Sequence, residues 1–177
     1  NLPPFMMGRK KEQEDILLSV KNNTPVIGVT GYVGVGKKLL VQHVEQHLRQ
    51  RSKRTISCSL HGIQDKKELW QRISLALQVQ IRAQDPVQEI ISILNAQDTI
   101  LILYDVDGYV DEIVQAIRYL QEKSLALTII YTAVRALDIA QAYTIVLSPL
   151  SRFASVLFFV HKAQQIIPKF VITTSNK

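Results

Sequence analysis

Apolar and polar residues along the chain fall into two alternating regimes. Short β-branched runs recur at Pro25 to Thr30, Thr55 to Leu60, Thr99 to Tyr104, Ala126 to Tyr131 and Thr144 to Leu147, and each reads as a strand. Around them apolar positions return three and four residues apart, the spacing of a helix that lays one stripe on a sheet. The sets are Ile16, Leu17 and Val20 in a helix from about Glu12 to Lys21, then Leu40, Val44 and Leu48, then Leu69, Ile73 and Leu77. They continue with Val87, Ile90, Ile91 and Leu94, and with Ile113, Ile117 and Leu120. A last helix from Ser151 carries Phe153, Val156, Leu157 and Val160, and "VLFFV" at 156–160 is expected to be buried. Trp70 and Phe153 are both expected in the core. The run "TILILY" at 99–104 is apolar enough for a strand covered on both faces. Strands and helices in alternation predict an α/β fold with helices packed on a mostly parallel sheet.

Composition agrees with one domain: 177 residues, 47% of them hydrophobic, suffice for a sizeable core. No apolar run reaches the roughly 20 residues that cross a bilayer, and the first residues lack the apolar stretch of a signal peptide. A single cysteine, Cys58, excludes an intramolecular disulfide framework and reads as a small core residue. The expectation is a soluble cytoplasmic protein. The formal charge of +6 is unevenly placed: residues 1–54 hold ten Lys or Arg against four acids, and the remainder is balanced at eleven each. This local positive potential suits any polyanion, nucleotide or nucleic acid alike. The cluster "RQRSKR" at 49–54 reads as a solvated helix end, where cations are favoured.

The excess surrounds "GYVGVGKK" at 31–38, which follows an apolar strand and opens a helical pattern. That context turns the spacing G-x-x-x-x-G-K into a mechanism. Glycines let the backbone curl so that N–H groups point at phosphate oxygens, the helix adds its positive end, and Lys37 reaches the outer phosphates. Gly31, Gly34, Val35, Gly36, Lys37 and Lys38 are therefore the predicted cofactor-binding residues. A glycine-rich turn that keeps the shape and binds nothing is the alternative. Lys38 gives it weight, because a Ser or Thr at this place would coordinate magnesium. Three arrangements are open: Lys38 in solvent with magnesium held weakly, its ammonium in place of the metal charge, or an empty site.

"LILYDVDG" at 101–108 puts Asp105 at the tip of a buried strand, where it could orient magnesium through water or merely cap a turn. The next position, which often holds a catalytic base, is Val106, and Asp107 is expected to face away from Asp105. His43 and His47 share a helix face, but "HVEQH" lacks the H-E-x-x-H order of a zinc protease, and no third ligand is evident. Ser57, Ser59 and His61 form no nucleophile elbow.

The order of these motifs resembles the nucleotide-binding domain of the STAND signal-transduction ATPases, the NB-ARC and NACHT-like branch of the AAA+ superfamily. "FMMGRKKEQEDILLSV" is similar to that family's lead-in, "VIGVTGYVGVGKKLLVQHV" to Walker A, "TILILYDVDG" to Walker B and "LTIIYTAVRAL" to its sensor strand. The resemblance covers about residues 5–163. It implies a P-loop NTPase fold, three layers α/β/α around a five-stranded parallel sheet in the order 5-1-4-3-2. It also implies Gly8 and Arg9 near the adenine and ribose, Asp105 by the metal, and Arg135 near the terminal phosphate as a sensor. Asp105 and Arg135 are thus the predicted catalytic residues. Residues 1–150 would form the nucleotide-binding domain and 151–177 the start of a helical lid, cut short. The chain departs from the pattern by one extra residue between Phe5 and Gly8, by Arg135 one place late, and at Lys38 and Val106.

The implied function is an ADP- or ATP-dependent regulatory switch with weak or no hydrolysis, acting on other domains of a longer protein and on self-association. A pseudo-NTPase scaffold for protein contacts is the alternative. A DNA-associated AAA+ module is the third reading and the weakest, since no base-reading element is evident.

Overall fold

The computed structural model describes residues 8–51, 53–78 and 86–172. Phe5 of the lead-in and the tail from 173 lie outside them. The elements are α1 (Lys10–Lys21), β1 (Val26–Thr30), α2 (Lys37–Gln50), β2 (Arg54–Ser59), α3 (Lys66–Ala76), α4 (Pro86–Asn95), β3 (Thr99–Tyr104), α5 (Val110–Lys123), β4 (Leu127–Ala133), β5 (Ala142–Val146) and α6 (Arg152–Ile166). All five strands are parallel, in the order β2-β3-β4-β1-β5. Read from the other edge this is 5-1-4-3-2, as the resemblance implied, and the strands lie within two residues of the sequence expectation.

Alternation along the central strands divides the core between two faces. Ile100, Ile102 and Tyr104 of β3 join Ile27, Val29 and Ile130 under α1 and α2. Leu101 and Leu103 join Ile129 and Tyr131 under α3, α4 and α5. Both faces of β3 are thus covered, which gives three layers and explains why β3 is buried at every position. In such sheets ligand sites form beyond the carboxyl ends of the strands. Here that edge carries the turns after β1, β3 and β4.

Trp70 of α3 is in the core as expected, but Phe153 is 74% exposed. Val156, Leu157 and Phe159 are exposed too, and α6 buries only Ala154. The stripe has helical spacing, yet it stays open to solvent, because period alone does not say that anything covers a face. Within "RQRSKR", Arg54 belongs to β2 and donates to the Ile93 carbonyl at 3.1 Å, and the helix end is Arg49 and Gln50 with Arg51 as its cap.

Gly28 in β1 is a packing requirement that the sequence pattern hides. A Cβ there would lie 2.4 Å from the hydroxyl of fully buried Tyr131, and that hydroxyl accepts the Leu137 amide at 3.0 Å. Gly28→Ala is expected to destabilise the chain by ~1–3 kcal/mol through overpacking, read as a lower urea midpoint at unchanged slope.

Burial pushes the Cys58 thiol of β2 up to about 12, with Arg72 opposing. The folded chain holds this proton more tightly than the unfolded one. The associated stability is full below pH 9.0, the ordinary value, and is lost as pH rises toward about 12. At pH 8 iodoacetamide should alkylate Cys58 roughly a thousandfold more slowly in the folded chain than in urea, because about three pKa units separate the thiolate fractions.

Candidate functional site

Between Thr30 at the end of β1 and Lys37 at the start of α2 the chain folds over the end of its strand. Gly31, Gly34 and Gly36 have φ of +142°, +81° and +98°, conformations that side chains rarely adopt. At Gly31 a Cβ would also stand 2.5 Å from the Leu147 carbonyl oxygen. At Gly34 and Gly36 it would meet nothing within 4 Å, so the space above the loop is open. Gly36 caps α2 without a side-chain partner and its first turn holds no acid. The positive helix end is therefore uncompensated, the condition that favours an anion. Gly34, Gly36, Lys37 and Lys38 line a cavity of ≈ 780 Å³, with Ser59 and His61 across from them.

Lys37 is 9% exposed, and its Nζ donates to the Gly31 carbonyl at 2.7 Å and the Tyr32 carbonyl at 3.0 Å. An ammonium has three donors, so one remains for a ligand. Val35 supports the loop from beneath, its side chain against Gly31 and the core, and its amide bonds the Tyr32 carbonyl at 3.3 Å.

The end of β4 joins this loop to the turn after β3. The Val134 carbonyl accepts the Gly31 amide at 3.3 Å, and the Thr132 carbonyl accepts the Val106 amide at 3.0 Å. Thr132 Oγ1 accepts the Asp105 amide at 2.9 Å. Asp105 has φ +59°, a left-handed turn that Asp tolerates better than most residues. Its carboxylate lies on the same cavity as the loop. Asp107 does not face away. The left-handed turn at Asp105 ends the extended run, and Asp107 lines that cavity while its Oδ1 accepts the Val134 amide at 2.6 Å.

Lys38 closes the gap between the two segments. Its Nζ stands 3.4 Å from Asp105 Oδ2 and 5.5 Å over the ring of Tyr104. The Tyr104 hydroxyl donates to Glu45 Oε2 at 2.9 Å, and burial first, then Glu45, holds that phenol well above its ordinary pKa. Magnesium needs oxygen donors in near-octahedral order. At the position meant to supply a hydroxyl this chain presents an ammonium, which has no lone pair and already faces the carboxylate. These residues do not fit a magnesium ion held in the expected way.

The remaining predicted residues lie around this centre. Gly8 sits against α6, where a Cβ would come within 2.9 Å of the Ala154 Cβ. Arg9 is buried, and its guanidinium donates to Glu12 at 2.9 Å, to the Val35 carbonyl at 3.2 Å and to the Ser148 carbonyl at 2.7 Å. It therefore ties the start of the chain to the loop and to the segment before α6. Arg135 is exposed and lines a neighbouring cavity with Val110 and Leu137, which shares Asp107 and Val134 with the first. The structure thus brings Gly31 to Lys38 and Asp105 together, and leaves Arg135 beside them. Sequence reasoning missed Tyr104, Thr132 and Glu45. Tyr104 ends the same strand that presents Asp105, which is the one signal that pointed to it.

Arg9→Lys keeps the charge but cannot reach all three acceptors. It should cost ~1–3 kcal/mol of stability by leaving buried carbonyls unpaired, measured by thermal melting, and should speed amide exchange at Val35.

A family model described as the NB-ARC domain matches residues 9–164. No curated protein sequence matches significantly. Among solved structures the chain is similar to Cdc6p from Pyrobaculum aerophilum, with TM-score 0.71, 14% identity and 93% of this chain on 52% of that one. It is similar to a Signal Transduction ATPase with Numerous Domains with a tetratricopeptide repeat sensor from Pyrococcus horikoshii, with TM-score 0.60, 16% identity, and 89% of this chain on 25% of that one. AMPPCP-bound DnaA from Aquifex aeolicus gives TM-score 0.59, 17% identity and 95% of this chain on 54% of that one. At these identities the likeness concerns the fold alone. The chain spans about half the length of Cdc6p and DnaA and a quarter of the Pyrococcus protein.

Proposed function

The chain belongs to the NB-ARC domain family, and from that premise we propose that it is an ADP- or ATP-binding regulatory domain with little hydrolytic activity. The observation that carries this reading is the open loop from Gly31 to Lys37, with three glycines at positive φ over an uncapped helix end. The backbone amides and Lys37 would hold the phosphates, and the base would lie toward Gly8 and Arg9. The AMPPCP named with the Aquifex DnaA structure is a nucleotide analogue, which suits the same ligand class.

Little hydrolysis follows from the groups around Asp105. Attack on a terminal phosphate needs a residue that orients water and groups that stabilise the charge developed in the transition state. The residue after Asp105 is Val106, which is fully buried and apolar. Asp107 is engaged by the Val134 amide, and Arg135 lines the adjoining cavity. A chain that binds and seldom turns over suits a switch, whose two states differ in affinity for the nucleotide and are read by other domains or by self-association. Residues 8–150 would form the binding unit, and α6 would begin the lid.

Differential scanning fluorimetry with ADP and with ATP tests the reading. At about 100 times Kd the ligand should add about 2.7 kcal/mol, a Tm rise of roughly 5–10 °C. Lys37→Ala should weaken binding about tenfold or more, and ATP turnover should stay well below ~1 s⁻¹, the low end of ordinary enzymes. Absence of any shift with either nucleotide would leave a scaffold for protein contacts as the function.

A further inference from the structure

We propose that the Lys38 ammonium is the resident cation of the phosphate site, so that the chain takes a nucleoside di- or triphosphate without a divalent metal ion. The proposal rests on the nucleotide-binding reading above and concerns how the charge of that ligand is balanced.

Asp105 poses the electrostatic difficulty. Its carboxylate lines the cavity that the phosphates would enter and is 34% exposed, so an unneutralised Asp105 would repel a polyanion across it. A metal ion between carboxylate and phosphate is the usual remedy for such a meeting of like charges. Here a positive charge already stands there, 3.4 Å from Asp105 Oδ2.

The surroundings of Lys38 keep it at that place. Its Nζ lies 5.5 Å over the Tyr104 ring, a distance at which the ring face attracts a cation. The ring is itself anchored, because its hydroxyl is bonded to Glu45, whose other oxygen accepts from Ser57 at 2.9 Å and from Arg49 at 2.7 Å. The aromatic platform is therefore built from three elements, β2, β3 and α2. Lys38 follows Lys37 directly in the first turn of α2, on the wall of the cavity. At 50% exposure it retains donors for a second anion, and an ion pair this open to water contributes little by holding the ammonium on Asp105 alone. Bridging Asp105 and a phosphate oxygen uses both directions of its donors at once. A divalent ion entering the same space would meet Lys38 at close range and be repelled.

Calorimetric titration of the chain with ADP, once in excess EDTA and once in millimolar magnesium chloride, tests this. For the wild-type chain Kd should differ between the two buffers by less than about threefold. Lys38→Thr restores a hydroxyl, and should bind about tenfold more weakly than wild type in EDTA and recover with magnesium. Lys38→Met has neither charge nor oxygen and should bind weakly in both buffers. Lys38 is half exposed, so both variants should keep the wild-type Tm without ligand. The proposal is overturned if magnesium tightens wild-type binding about tenfold or more, or if Lys38→Met binds in EDTA as wild type does. A wild-type chain that ignores ADP in both buffers removes the nucleotide reading itself, and this proposal with it.

Discussion

The end of β4 determines where the rest of the site can be. It lies between β1 and β3 in the sheet, and four hydrogen bonds from Thr132 and Val134 reach Gly31 on one side and Asp105, Val106 and Asp107 on the other. The two segments that meet the cavity are therefore positioned against a common, buried support and not against each other. Thr132 is fully buried, so water does not compete for its bonds. Among the described residues the pair of Lys38 and Asp105 spans the gap directly, and it lies at the surface where solvent can loosen it.

Much of this was legible in the chain because it depends on local order. Glycine spacing after a strand gives the loop, continuous apolar character gives the two-faced strand β3, and helical period gives the layers. What failed depends on contacts remote in sequence. The stripe on α6 has the right period, but period says only that a face exists, and Phe153 lies exposed. Asp107 was placed on the opposite side from Asp105, whereas the left-handed turn at Asp105 leaves both carboxylates on one cavity. Lys38 and Asp105 are 67 positions apart, and no pattern in either segment states that their side chains meet. Arg9 read as a ligand group, and its three acceptors in this fold are a carboxylate and two backbone carbonyls that only the packed chain brings together.

Charge is arranged with the same economy. Of the positive excess of the first 54 residues, part is engaged on the body of the domain and part adjoins the cavity. Arg9, Arg49 and Arg54 are engaged with carboxylates or carbonyls on the body of the domain. Lys37 and Lys38 adjoin the open space, beside a helix end that adds a further partial positive charge.

Trp70 is the chain's single tryptophan, and it is buried on α3, on the face of the sheet opposite α2. Its indole emission will therefore follow the melting of that side of the core and remain largely blind to what occupies the loop. Optical titrations of the cavity call for a label placed elsewhere, while the native fluorescence stays free as an internal gauge of folding.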